Sequence, residues 1–147
     1  MKHINDGFEA ALQTFFAVLS PLCITLTLYL HLNGEVSPGG GFAAGIMMST
    51  ILIASNIVFH SFKVKLNLII AVSAAFMCLY LLLAIAGLAY SSSFLDYSVL
   101  QLCGLNYIQS QKIGIFIAET CIMLVVACST YLIYNMLQMF AIKNNQK

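Results

Sequence analysis

Four long apolar runs, almost free of charge, constrain this chain more than any other feature. They extend from about Ala10 to Leu32, Phe42 to Phe59, Leu66 to Ala89 and Ile113 to Phe140. A helix needs about 20 apolar residues to cross a bilayer, and each run is close to or above that length. Hydrophobic residues make up 61% of the 147 positions and charged residues 7%, against roughly 25% charged in an ordinary globular domain. So few charges cannot cover a soluble surface. The reading is an all-α integral membrane protein with four transmembrane helices, forming a single four-span domain over 1–147. Secreted mini-proteins, disordered segments and nucleic-acid binders are excluded. The six basic residues are all Lys, the net charge is +1, and no basic stripe exists for phosphate.

The distribution of lysine predicts the orientation. With four spans, the N-terminus, the second loop and the C-terminus share a side. That side carries Lys2, Lys63, Lys65, Lys143 and Lys147, whereas the other carries only Lys112. Positive residues stay inside, so both termini are expected in the cytoplasm, with Asn33–Gly41 and Tyr90–Lys112 facing outward. The first run is expected to be a span. It is too long for a signal peptide, only Lys2 and His3 precede Asp6 and Glu9, and no small-residue cleavage site ends it.

The connections differ. His60 to Lys65 is a short polar turn that predicts an antiparallel helix hairpin. The third loop mixes Phe94, Leu95, Tyr97, Leu100, Leu102 and Tyr107 with Asp96, Gln101, Asn106 and Gln109. This predicts a segment lying at the interface or packed on a neighbour. No internal repeat is visible, and the halves lack the matching broken helices of an inverted-repeat transporter.

The most informative stretch is the first loop, His31-Leu-Asn-Gly-Glu-Val-Ser-Pro-Gly-Gly-Gly-Phe-Ala-Ala-Gly45. Pro38 drives Ser37 from helical angles, so the first helix cannot run through. Gly41 and Gly45 are four apart, as are Gly40 and Ala44, which places a small-residue face at the start of the second helix, where another helix can pack closely. A phosphate-cradling loop would need a preceding strand and a Lys, Ser or Thr at the helix start. Phe42-Ala43-Ala44 provides neither. The run Ser37-Pro38-Gly39-Gly40-Gly41-Phe42-x-x-Gly45 between the first two spans resembles the core motif of the MnhB-type subunit of Mrp multisubunit cation/proton antiporters. The related domain of membrane-bound hydrogenase-type complexes shares it. That family commonly has Gly-His shortly before the Pro. Here Gly34 is followed by Glu35, which puts a carboxylate at the outer lip.

Glu119 is the one acidic residue inside an apolar run. Counted from Ile113 it lies about 9 Å along the fourth helix. A carboxylate there costs at least a few kcal/mol unless paired, protonated or wet. Its own helix offers Gln111, Lys112 and Thr120. Glu119 is either a packing group bonded to a neighbouring helix or a cation- or proton-handling group on a hydrated path. His31 and His60 cap opposite ends of the first helical pair. With Glu119 and Glu35, they complete the candidates for an ion or proton path. Pro21 should kink the first helix, with Ser20 or Thr25 helping to satisfy the carbonyl it frees. Asn56 is expected to bond across helices.

The chain has five Cys, with no Cys-x-x-Cys and no Cys/His set at zinc spacing. No metal site, cofactor site or enzyme signature is expected. The resemblance implies a non-enzymatic membrane subunit in the inner membrane of a bacterium. Its partners would be other antiporter subunits, in a complex exchanging sodium or another monovalent cation for protons. In that family the principal proton channels reside in larger subunits. The alternative is a structural subunit of a hydrogenase-type or other complex I-related redox assembly, which needs no titrating group here.

Overall fold

The computed structural model describes residues 2–34, 40–59, 65–91 and 93–145. They form four α-helices and one short 3₁₀ segment, with no strand among the described residues. The helices are α1 (Lys2–Leu32), α2 (Gly40–Phe59), α3 (Leu66–Ser91) and α4 (Tyr107–Asn145), and the 3₁₀ segment covers Tyr97–Cys103. All four are long and apolar enough to cross a membrane. The 20 residues of α2 span about 30 Å, the thickness of the hydrocarbon layer. The 39 residues of α4 exceed it, so this helix must tilt or project.

The helices are ordered as a row. α2 lies between α1 and α4, α3 flanks the other side of α4, and α1 meets α4 only at its end; among the described residues α3 touches neither α1 nor α2. Little apolar surface is enclosed by such a layer. The buried apolar side chains are small or few, among them Ala44, Ala84, Ala118, Cys121, Ala127 and Tyr131. The outward faces, with Phe15, Leu22, Leu82 and Phe140 exposed, suit lipid tails or further apolar helices, not water.

Two expectations are corrected. The fourth helix begins at Tyr107, six residues before the apolar run. Tyr107–Lys112 is polar but helix-competent, and Ser110 is fully buried, donating its hydroxyl to the Asn106 carbonyl at 3.1 Å. Hydropathy registers the membrane, not the helix start. The third loop is therefore shorter than expected, and its 3₁₀ segment packs on the chain's own α3 and α4, with Phe94 and Leu102 left exposed. Asp96 starts the 3₁₀ segment by accepting from the Ser98 amide at 2.9 Å and from the Gln111 side chain at 2.9 Å. Gly104, at φ 82°, ends it. Two close approaches hold it down. A Cβ on Gly87 would lie 2.6 Å from the Asp96 carbonyl oxygen, and one on Gly114 would strike the Tyr97 ring.

The second correction concerns the carbonyl that Pro21 frees, within a helix α1 that runs on both sides of it. The Thr25 hydroxyl bonds the carbonyl of Pro21 itself, at 2.7 Å, rather than the Ala17 carbonyl that the missing N–H frees.

Candidate functional site: the seam of α2 and α4

The small-residue face of α2 packs against α4 of the same chain. A Cβ on Gly41 would strike the backbone carbonyl of Glu119, and one on Gly45 would lie 2.7 Å from the Met123 carbonyl oxygen and 2.9 Å from Val126 Cβ. Steps of four on α2 thus meet steps of four on α4. Ser49 and Ala44 are fully buried along the same face. Farther down, the Asn56 side chain donates to the Tyr131 hydroxyl at 3.0 Å, with both residues buried. Position 41 meets 119, 45 meets 123, and 56 meets 131, so α2 and α4 run parallel. In lipid no hydrophobic force drives helices together, and van der Waals contact at close range with a few interhelical hydrogen bonds must do so. This seam provides both.

Glu119 sits at the upper end of the seam. Its carboxylate lies against the backbone of Gly34 just past the end of α1, and a Cβ on Gly40, at the start of α2, would be 2.8 Å from Oε1. Only glycines leave room for it. Gly40 also has φ +39°, a left-handed conformation costly for other residues. Glu119 lies twelve residues into α4, about 18 Å from its start at 1.5 Å per residue. It is nevertheless level with the end of α1 and the beginning of α2. The first three turns of α4 therefore continue past the point where the other two helices stop.

The partners expected on its own helix are engaged elsewhere. Gln111 bonds Asp96 and Lys112 is exposed. Thr120 accepts or donates at 3.1 Å with Nε2 of His31 and donates to the Phe116 carbonyl at 2.8 Å. Glu119 is half-buried and has neither hydrogen bond nor ion pair among the described residues.

His31 is 6% exposed. Its ring packs on Phe116 with centroids 5.2 Å apart, and Nδ1 is buried with no hydrogen-bond partner among the described residues. An unmade bond of that kind costs about 1–3 kcal/mol. On the far side of α4, burial pushes the Tyr97 phenol above its usual range, with further upward pushes from Tyr80, Cys121 and Glu119.

Of the candidate residues, the structure brings Glu119, Gly40, Gly41 and Gly45 together, with His31 one residue from Glu119 through Thr120. Phe42 is 60% exposed and points away from the seam. Glu35, Pro38, Gly39 and His60 lie outside the described residues. Sequence reasoning assigned no role to Gly34 and did not connect Thr120 with His31. The spacing of His31 and Gly34, three residues apart at a helix end, was the only local signal. No group of three His, Cys, Asp or Glu able to hold a metal occurs among the described residues.

Four spanning-length helices and a glycine-built seam define a multi-pass helical membrane protein. A family model described as a domain related to the MnhB subunit of Na+/H+ antiporter matches residues 11–132. The chain belongs to this family, a family of transporter subunits. Among curated proteins and among solved structures, nothing matches.

Proposed function

We propose that this chain is a membrane subunit of a multisubunit antiporter exchanging sodium or another monovalent cation for protons. It would act as one four-span unit over residues 1–147 in a bacterial plasma membrane, with both termini cytoplasmic and other subunits as partners. Family membership supports the antiporter class. The lysine distribution supports the orientation.

Within that class, Glu119 is the group that contributes to the cation/proton route. The observation that carries this is its setting. It is a half-buried carboxylate on an apolar helix, lodged among glycines, with no ion pair or hydrogen bond among the described residues. A purely structural carboxylate in a membrane is expected to be paired, and an unpaired one marks a path for ions or protons. Glu35, His31 and His60 are further candidates for that route. One ionisable group in a span cannot carry charge across about 30 Å unaided, so the chain works with partner subunits and not alone.

The test is Glu119→Gln in the assembled complex. Gln keeps nearly the same shape but cannot bind or release a proton. We expect normal complex content on native gels, with exchange in everted vesicles reduced or its pH profile displaced. Glu119→Asp should keep part of the activity. Wild-type exchange with an unmoved pH profile in the Gln variant would remove Glu119 from transport.

A further inference from the structure

At the end of the row opposite Glu119, α3 and α4 enclose a groove of about 310 Å³, lined by Leu66, Asn135, Gln138, Met139 and Ile142. No residue of α2 lines it. Asn56 pairs with Tyr131 and α2 ends soon after, at Phe59, whereas α4 runs on to Asn145. Along this last stretch Met136, Leu137, Met139, Phe140 and Ile142 are exposed. So much apolar surface is stable among lipid tails and costly in water.

Two lysines mark one height at the mouth of this groove. Lys65 directly precedes Leu66, and Lys143 directly follows Ile142. Leu66 and Ile142 line the same groove, so the apolar-to-charged boundaries of α3 and α4 lie side by side. Lys143 is also one turn beyond Met139, on the same stripe of α4. Both lysines are exposed. Neither α3 nor the part of α4 beyond Glu119 contains an acidic residue. Asp6 and Glu9 belong to α1, at the opposite edge of the row. Below the lysines, the Asn135 amide donates to the Tyr131 carbonyl at 2.8 Å and the Gln138 amide to the Tyr134 hydroxyl. Each amide nitrogen carries two hydrogens, so one on each is unspent.

We propose that this groove binds one anionic phospholipid, with its phosphate between Lys65 and Lys143 and an acyl chain along Leu66, Met139 and Ile142. The mouth is positive and the wall is apolar, and an anionic lipid matches both. A soluble phosphate would leave the wall bare. A zwitterionic lipid would bring its own cation against the lysines. A basic recess between two helices on the side expected to be cytoplasmic is a setting that anionic headgroups favour. The lipid joins the start of α3 to the end of α4, and it does not depend on any role of Glu119.

The chain has no tryptophan, so Ile142→Trp places a single fluorophore at an exposed position of the groove and keeps its wall apolar. Phe140→Trp, at a 70% exposed position of the same turn, is a second reporter. The full chain is placed in nanodiscs of phosphatidylcholine with a minor share of phosphatidylglycerol, and the acyl chains of one lipid or the other are brominated. Quenching then reads which lipid occupies the groove. We expect phosphatidylglycerol to be preferred about tenfold or more, each lysine contributing about fivefold. Lys65→Gln and Lys143→Gln should each lower the preference about fivefold, and Arg at either position should keep it. Lys112→Gln, at the other end of α4, should leave it unchanged, and inorganic phosphate should not displace the lipid. Equal quenching by the two lipids overturns the proposal. So does a preference that falls as much in Lys112→Gln, which would be diffuse surface charge, or displacement by inorganic phosphate, which would be a site for the anion alone. In the assembled antiporter, a reporter that neither lipid quenches shows the groove covered by a partner subunit, and this also overturns it.

Discussion

The Cα of Gly41 rests against the backbone carbonyl of Glu119, so closely that no Cβ fits between them. The glycine that starts the seam and the acid that gives it chemistry are thus one contact. Changing Gly41 perturbs both the packing and the site, because the atoms it meets are backbone.

Substitution at Gly41 should unfold the chain before it affects any partner. The obstacle is backbone and cannot swing aside. Gly41→Leu is expected to abolish recovery of monodisperse protein in detergent. Gly41→Ala should cost about 1–3 kcal/mol, as overpacking does elsewhere, and lower the melting temperature. Full yield and an unchanged melting temperature for the Leu variant would show that α2 and α4 are not joined here.

Gly34 differs, because its obstacle is the far end of the Glu119 side chain. Gly34→Ala should destabilise the wild type but have little effect in a Glu119→Ala background, where the carboxylate is gone. Contacting residues are those whose effects fail to add. A double-mutant cycle on melting midpoints reads this coupling, and strict additivity would separate the two residues.

At the lower end of the seam, Tyr131→Phe removes the acceptor of Asn56. The cost should be about 1 kcal/mol, in keeping with interhelical hydrogen bonds in membranes. Asn56→Leu added to Tyr131→Phe should recover part of it, since no buried amide is then left unpaired. Denaturation in mixed micelles would measure both.

Tyr97 predicts an alkaline limit. Burial and its acidic neighbours raise its phenol above the ordinary value near 10, so the folded state favours the neutral form. The stability this contributes is complete below that ordinary value and is lost as pH rises through the higher folded value. Tyr97→Phe should blunt the alkaline loss of structure around the 3₁₀ segment, followed by circular dichroism with phenolate absorbance. An identical alkaline profile in the Phe variant would dismiss Tyr97 as its source.

Orientation can be checked separately. Glu35→Cys, in a chain stripped of its native thiols, should react with impermeant reagent added from outside the cell. Reaction from the cytoplasmic side alone would invert the topology.

The spans were legible because apolar run length is a local property. The small-residue spacing from Gly40 to Gly45 was legible for the same reason, since a period of four on a helix makes a face. What that face meets was not. Glu119 is 78 residues from Gly41, and the His31–Thr120 pair is separated by 89. No local pattern encodes such meetings. The start of α4 was missed because Tyr107 to Lys112 is polar, yet folds as helix once Ser110 is buried and Gln111 reaches Asp96. The glycine at position 34 carried no role in the sequence reading and is half of the cradle around the Glu119 carboxylate.

The parallel pairing of α2 with α4 also dictates an order of birth. The α1–α2 hairpin leaves the ribosome first, and its glycine face must wait for more than fifty further residues before its own α4 can be inserted. During that interval the face is bare in the bilayer, open to any small-residue helix nearby. A nascent chain of this design is exposed to capture by the wrong helix, and synthesis close to its proper neighbours in the membrane is the simplest protection.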